Sequence, residues 1–281
     1  MLDVYKSFYR FSEQPFRLAP DKRFSFPHPS YDAARDYLKY AISEGEGFVA
    51  ITGAPGTGKT TLIHSLLDEF DSERVQLATL GNAQLDEPNL VGRVLEAFGV
   101  ADGGHLSAVS QLSGFLIENF QRDCRSVVIV DEAQGMSPAA LEELRLLSNL
   151  QYQNRLLLQM FLVGQESLMD VVRGSGMEQL HQRLIAAAHI DPLQEPETEA
   201  YIHYRLQRVG WEGRPEFDAE AVRLIHKFSS GIPRRINLIC HRLFLYGGLE
   251  QKQWFRGDDA LHVIVELHKE GLLQPVARRK L

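Results

Sequence analysis

The sequence predicts an α/β fold: a parallel sheet covered by helices on both faces, followed by a small all-helical unit. Three observations carry this. Short apolar runs alternate with amphipathic segments between residues 48 and 190, and such runs mark strands buried on both faces. The first run meets a glycine-rich turn that opens a helix, the order expected where βα units repeat. After Pro192 and Pro196 the strand signals stop and helical periodicity alone continues.

The elements follow in order. Phe48-Val49-Ala50-Ile51-Thr52 reads as a first buried strand, and a helix runs from Lys59 to about Phe70 with Leu62, Ile63, Leu66 and Leu67 on one face. Val75 to Thr79 is a second strand, Pro88 to Phe98 a helix, and Leu106 to Arg122 another. Val127-Val128-Ile129-Val130 is the most apolar strand and is closed by Asp131-Glu132. Pro138 to Leu150 turns Leu141, Leu144, Leu147 and Leu150 inward, Leu156 to Val163 is a fourth strand, and Ala187 to Ile190 a weaker fifth. The helical unit reads as Thr198–Val209, Asp218–Phe228, Pro233–Tyr246 and Asp258–Gly271. Asp218 is its N-cap signal, and Gly210, Gly231 and Gly247-Gly248 are its stops. The layout expected is an N-terminal extension packed on the core over 1–46, an α/β core over 47–195 and a small helical domain over 196–281.

Composition narrows the class. With 44% apolar and 24% charged residues in 281, the chain has the make-up of a soluble globular protein. No stretch approaches the roughly 18 apolar residues of a membrane span, and Met1 to Lys6 lacks the pattern of a secretory signal, so a cytoplasmic location is expected. Cys124 and Cys240 have no metal-ligand or disulfide spacing and read as buried free thiols, and the ten histidines form no ligand motif. The net charge of −7 argues against a surface basic throughout. Its distribution is uneven, because Glu197 to Leu281 holds 14 Lys and Arg against 11 Asp and Glu.

Gly53-Ala54-Pro55-Gly56-Thr57-Gly58-Lys59-Thr60 fits G-x-x-x-x-G-K-[ST] between a predicted strand and a predicted helix. Glycines let the backbone curl around an anion, and the amides from Gly56 to Thr61 sit where a helix dipole favours negative charge. Pro55 has no amide and only shapes the loop. Lys59 would reach the β- and γ-phosphates of a nucleotide, and the Thr60 hydroxyl would complete the shell of a Mg²⁺ ion. An apolar strand ending in Asp131 and Glu132 puts two carboxylates at the C-terminal edge of the sheet, where ligands of such sheets bind. Asp131 would then hold magnesium through water, and Glu132 would orient or deprotonate the attacking water. The paired acids point to the additional-strand class of P-loop NTPases.

On these and further residues the sequence resembles an AAA+ ATPase of the ExeA-like (general secretion pathway protein A) group. Within it, the sequence looks most like the secretion ATPases of exosortase (PEP-CTERM, XrtA-associated) and exopolysaccharide loci. The resemblance rests on Tyr9 to Phe24, the P-loop with Thr61, Val130-Asp131-Glu132-Ala133-Gln134 and Leu141 to Asn149. It continues through Phe161 to Gln165, Gln182-Arg183-Leu184 and Gly231 to Asn237. Gly135 departs from it, since relatives usually carry Asn there. The resemblance implies an AAA+ three-layer sandwich with a lid, and ATP and Mg²⁺ as ligands. It implies Gln165 as a polar sensor beside the γ-phosphate, Arg234 as the lid arginine that reaches the nucleotide, with Arg235 its neighbour, and Arg183 as the finger entering the next subunit's site. The last role implies a homo-oligomeric ring or filament; an arginine paired with a nearby Glu is the alternative reading of Arg183. The aromatic stretch Phe8 to Phe26 would line adenine with Ile232 and Pro233, or simply pack on the core. Secretion or polysaccharide-export components at the inner membrane are the implied partners.

Two rivals stand beside this. Transposition regulators of the TnsC or TniB type share the implied core and bind DNA, and Arg205, Arg208 and Arg242 would suit a nucleic-acid track; the acidic core counts against them. A nucleotide-gated scaffold with little hydrolysis is the other, and Glu132 counts against it. The sequence read here holds no membrane span or peptidoglycan-binding segment after the lid, although other members of the group carry them. Arg278-Arg279-Lys280 reads as a solvated tail.

Overall fold

A computed structural model of the chain describes residues 4–273 except 20, 46, 68, 70–73, 82–88, 102–105 and 175. Its contacts divide the chain into two compact units. One, the α/β unit, comprises Pro29–Ala54 and Leu62–Ile190; the other, the helical unit, comprises Met1–His28, Pro55–Thr61 and Asp191–Leu281. The chain opens with α1 (Val4–Tyr9), then α2 (Pro29–Glu44), β1 (Phe48–Gly53), α3 (Lys59–Leu67), β2 (Val75–Leu80), α4 (Leu90–Ala97), α5 (Ala108–Gln121) and β3 (Arg125–Val130). It continues with α6 (Pro138–Leu147), β4 (Gln151–Tyr152), β5 (Arg155–Leu156), β6 (Leu158–Gly164), α7 (Ser167–Val172), α8 (Glu178–Gln182) and β7 (Leu184–Ile190).

Five strands form the sheet of the α/β unit in the order β2-β3-β6-β1-β7, each neighbouring pair parallel. β1 and β6 are buried along their whole length, as continuous apolar runs require in a sheet covered on both faces. β7 lies at an edge and alternates buried Ala186, Ala188 and Ile190 with exposed Ile185, Ala187 and His189. That half-exposure is why its sequence signal is weak. The two faces of β3 divide the core: Val127 and Ile129 pack with Leu38 and Ile42 of α2 and Leu62, Ile63 and Leu66 of α3. Val128 and Val130 pack with Leu90 and Val94 of α4, Leu112 and Leu116 of α5, and Leu141 and Leu144 of α6. Each such side chain contributes roughly 1.5–3 kcal/mol through burial. One buried polar side chain, Gln159 of β6, donates to the Ala41 carbonyl at 2.8 Å. The β4–β5 hairpin turns at Gln153 and Asn154, with φ of 49 and 61, the two left-handed residues of a tight hairpin turn.

The helical unit adds α9 (Glu195–Gln207), β8 (Glu216–Phe217), α10 (Ala219–Ser229), α11 (Pro233–Leu249), β9 (Trp254–Phe255) and α12 (Gly257–Lys269). Asp218 caps α10, its Oδ1 accepting the Ala221 amide at 2.7 Å. Two expectations are corrected here. Strands do not cease after residue 196, because β8 and β9 pair in parallel; at two residues each they are too short to show a period. Gly247 and Gly248 do not stop a helix but lie inside α11. A Cβ on Gly247 would come within 2.4 Å of the Tyr9 hydroxyl and of Phe255, and one on Gly248 within 2.8 Å of Tyr5.

Those contacts divide the N-terminal extension. α2 packs on the sheet, whereas Tyr5, Tyr9, Phe11, Phe16 and Phe24 are buried in one cluster with Phe244 and Phe255 of the helical unit. A run of aromatics goes where small residues leave room for rings, and α11 supplies that room. Cys240 is buried there and burial pushes its thiol up; Cys124 is only partly covered, at the turn before β3, which corrects its reading as buried. Among the described residues no helix is long and apolar enough to cross a membrane.

Candidate functional site

Parallel strands end on one edge, and the strand order sets the ends of β3, β6 and β1 side by side in the α/β unit. The Asp131 amide still bonds the Leu80 carbonyl at 3.0 Å, extending the β2–β3 ladder by one residue. Glu132 then turns the chain at a φ of 54, a left-handed conformation that costs a non-glycine residue roughly 1–2 kcal/mol. Its amide donates to Asp131 Oδ1 at 2.9 Å, which holds the turn and orients that carboxylate. A single 3-10 turn, Ala133–Gly135, brings Gln134 back over the acid. Gln134 Nε2 donates to Glu132 Oε2 at 2.6 Å, and Gln134 Oε1 accepts the Gln165 amide at 3.0 Å. Gln165, the first residue past β6, also points its own Nε2 at Glu132 Oε2, 3.4 Å away. Asp131, Glu132 and Gln165 are thus brought together, with both carboxylates partly open to solvent.

The phosphate loop belongs by its contacts to the helical unit over Pro55–Thr61. Gly56 and Gly58 have φ of 89 and 100, values only glycine adopts without strain. Thr57 and Lys59 are buried, and α3 begins at Lys59, so Thr60 and Thr61 lie in its first turn. The N-terminus of α11 meets this loop, with the Arg234 amide donating to the Gly56 carbonyl at 3.3 Å. A Cβ on Gly56 would approach the Arg234 Cβ to 2.6 Å and Ile232 to 3.3 Å. Arg234 is exposed beside the loop, whereas Arg235 is half-buried and burial lowers its affinity for the proton. A glycine-rich turn that opens a helix is the local geometry in which backbone amides can receive an anion.

Arg183 stands elsewhere. It caps α8 just before β7, and its carbonyl accepts the Phe48 amide at the start of β1. It therefore sits at the N-terminal edge of the sheet, and the seven residues of β7 separate the two edges by roughly 20 Å at ~3.3 Å per residue. Its guanidinium donates to Ser148 Oγ at 2.9 Å. Within the α/β unit Arg183 is a strand length from Glu132.

The arginines read as a nucleic-acid track are otherwise engaged. Arg205 is buried, with Nε on the Pro15 carbonyl and its guanidinium 4.7 Å from the Phe24 ring centroid. Arg242 is paired with Glu270 at 2.6 Å. Arg208 is exposed and bonds the Tyr204 hydroxyl. Among the described residues no cluster of three or more His, Cys, Asp or Glu could hold a metal ion. Of the two hard oxygen donors expected for magnesium, Thr60 belongs by its contacts to the helical unit and Asp131 to the α/β unit. The residue that sequence reasoning passed over is Gln134. The only signal was its place in the Asp-Glu-Ala-Gln run, and its bond to Gln165 depends on a strand 30 residues away.

Comparison with known proteins agrees with this architecture. Residues 42–172 match the AAA domain family. The chain is 37% identical over 245 residues to general secretion pathway protein A of Aeromonas hydrophila, covering 86% of the chain and 44% of that relative. It therefore spans less than half the length of that curated relative. Among solved structures it is similar to Cdc6p of Pyrobaculum aerophilum, with a TM-score of 0.70, 14% identity and coverage of 92% and 73%. It is also similar to ORC2 of Aeropyrum pernix, solved as ADPNP-ADP complexes, with a TM-score of 0.64, 15% identity and coverage of 90% and 74%. At these identities the likeness shows the fold alone, which together with the AAA domain match is the AAA+ fold.

Proposed function

The chain carries an AAA domain on the AAA+ fold and is similar over most of its length to general secretion pathway protein A; from that premise we propose that it binds and hydrolyses ATP. The observation that carries the reading is the pairing in one chain of a glycine-shaped phosphate loop with a carboxylate, Glu132, held by two side-chain amides. The amides from Gly56 to Thr61 receive the phosphates, with Gly53 to Pro55 leading into the loop and Lys59 neutralising the β- and γ-groups. Thr60 and Asp131 would hold magnesium, which when bound offsets phosphate charge. Glu132 accepts a proton from water as its oxygen attacks the γ-phosphorus and the bond to the β,γ-bridging oxygen breaks, giving ADP and phosphate. Gln165 orients that water, and Arg234 contacts the nucleotide from the start of α11. Arg183, distant from its own chain's Glu132, serves the site of another copy, so the active form is a ring or filament.

Hydrolysis supports secretion or exopolysaccharide and envelope assembly, from the cytoplasm or peripherally at the inner membrane, with export components as partners. Similarity to general secretion pathway protein A supports this choice, and the finer assignment to PEP-CTERM or exopolysaccharide loci rests on the sequence resemblance. Nucleotide titration of Lys59→Ala tests the site: binding is expected to be lost, and wild-type affinity in that variant would remove the phosphate loop from the account. Turnover measured with and without duplex DNA at fixed salt separates the transposition alternative. A flat response is expected; stimulation would favour that alternative.

A further inference from the structure

We propose that Gln134 is a positioning residue that selects which oxygen of Glu132 acts as the base, an inference that rests on the hydrolytic reading above. The orientation of its amide follows from its neighbours. One end faces a backbone N–H, that of Gln165 at 3.0 Å, which can only donate. The other faces a carboxylate oxygen, Glu132 Oε2 at 2.6 Å, which can only accept. A carboxamide presents an acceptor at one end and a donor at the other. Glutamate lacks the donor, methionine lacks both groups, and asparagine is a methylene short.

The second amide points at the same atom. Gln165 Nε2 is 3.4 Å from Glu132 Oε2, so both glutamines engage Oε2 and neither engages Oε1. An oxygen that already accepts a short bond from an amide is the poorer proton acceptor, which leaves Oε1 to face the attacking water. Gln134 fixes this choice on a left-handed residue whose side chain would otherwise sample several rotamers. The end of β6 is shaped around it: Gly164 has no side chain, and a Cβ there would lie 2.4 Å from Gln134 Oε1. The same amide ties the first residue past β6 to the acid past β3, so the two ends of neighbouring strands act as one rigid element.

The test is steady-state ATP turnover of the full chain, with ATP affinity measured in parallel, for wild type, Gln134→Met, Gln134→Glu and Gly164→Ala. Losing one charge-assisted hydrogen bond is expected to lower kcat of Gln134→Met and Gly164→Ala roughly 10- to 100-fold, with ATP affinity within about threefold. The double variant is expected to lose no more than Gln134→Met alone, because both changes break the same bond. Gln134→Glu keeps an acceptor for the Gln165 amide but sets a carboxylate against Glu132, and it is expected to lose at least as much. Near-wild-type turnover in Gln134→Glu would overturn the role at Glu132 and leave Gln134 as a backbone tie. A parallel fall of kcat and affinity that tracks thermal stability would also overturn it, as would additive losses in the double variant. Wild-type chain without turnover removes the hydrolytic reading and this inference together, whereas wild-type turnover with Gln134→Met unchanged removes the inference alone. Gln134→Glu, isosteric with the native residue, keeps the test open if the methionine variant fails to fold.

Discussion

Arg183→Ala separates a finger from a structural arginine by magnitude. Among the described residues the side chain makes one charge-assisted bond, to the buried Ser148 hydroxyl at 2.9 Å. A structural role is confined to that bond and to stability, about 1.5–3 kcal/mol. Ser148→Ala, which removes the same bond, should then reproduce the phenotype. A finger acting on another copy's nucleotide is worth about 10³–10⁵ in rate, which at roughly 1.4 kcal/mol per decade is about 4–7 kcal/mol of transition-state stabilisation. We expect Arg183→Ala to bind ATP normally and to lose at least about 10³ in turnover, and Ser148→Ala to lose less than about tenfold. The assay is phosphate release by each variant, then by mixtures of Arg183→Ala with Lys59→Ala. The second subunit has a dead site but an intact Arg183, so mixing should restore turnover to the first. Equal losses in Arg183→Ala and Ser148→Ala, or no rescue across mixing ratios, would refute the trans assignment and the oligomer it implies.

Two further outcomes concern the helical unit. Arg205→Met removes bonds to the Pro15 carbonyl at 2.6 Å and the Tyr201 hydroxyl at 2.7 Å, together with the contact to Phe24. It should lower stability by about 2–4 kcal/mol, seen in the urea midpoint; an unchanged midpoint would contradict Arg205 as the tie of the N-terminal segment. Burial holds His226 below its ordinary value against an opposing pull from Glu195, and burial followed by Arg242 does the same for His241. The unfolded chain therefore binds more protons, so this contribution is present above the unfolded value near 6.5 and is lost as pH falls from there through the lower folded values. Urea midpoints should drop between pH 7.5 and 5.5, and His226→Gln should reduce the drop; an equal drop in that variant would count against His226.

What sequence revealed depended on the range of the interaction. The phosphate loop, the apolar strands and the Asp218 cap are set by neighbours within a few residues, and their pattern survives in one dimension. α2 is less legible although Tyr31, Ala34, Leu38, Ala41 and Ile42 line one face of it, because no glycine-rich turn or carboxylate pair marks it as part of a βα unit. Gly247 and Gly248 look like a helix stop locally, yet they answer to Tyr9 and Tyr5, more than 230 positions away. Arg205 and Arg242 look like free positive charge until Pro15 and Glu270 are brought to them. The acids of the site were visible as a pair, but the amide that orders them was not, since its second partner begins where β6 ends.

Phosphate release by Glu132→Gln, with bound ATP measured in the same sample, addresses the central claim most directly. The substitution keeps the shape of the side chain and removes the proton acceptor. The account predicts wild-type nucleotide occupancy with turnover reduced by at least about 10², the scale of a general base. Hydrolysis at the wild-type rate by the fully occupied variant would contradict it.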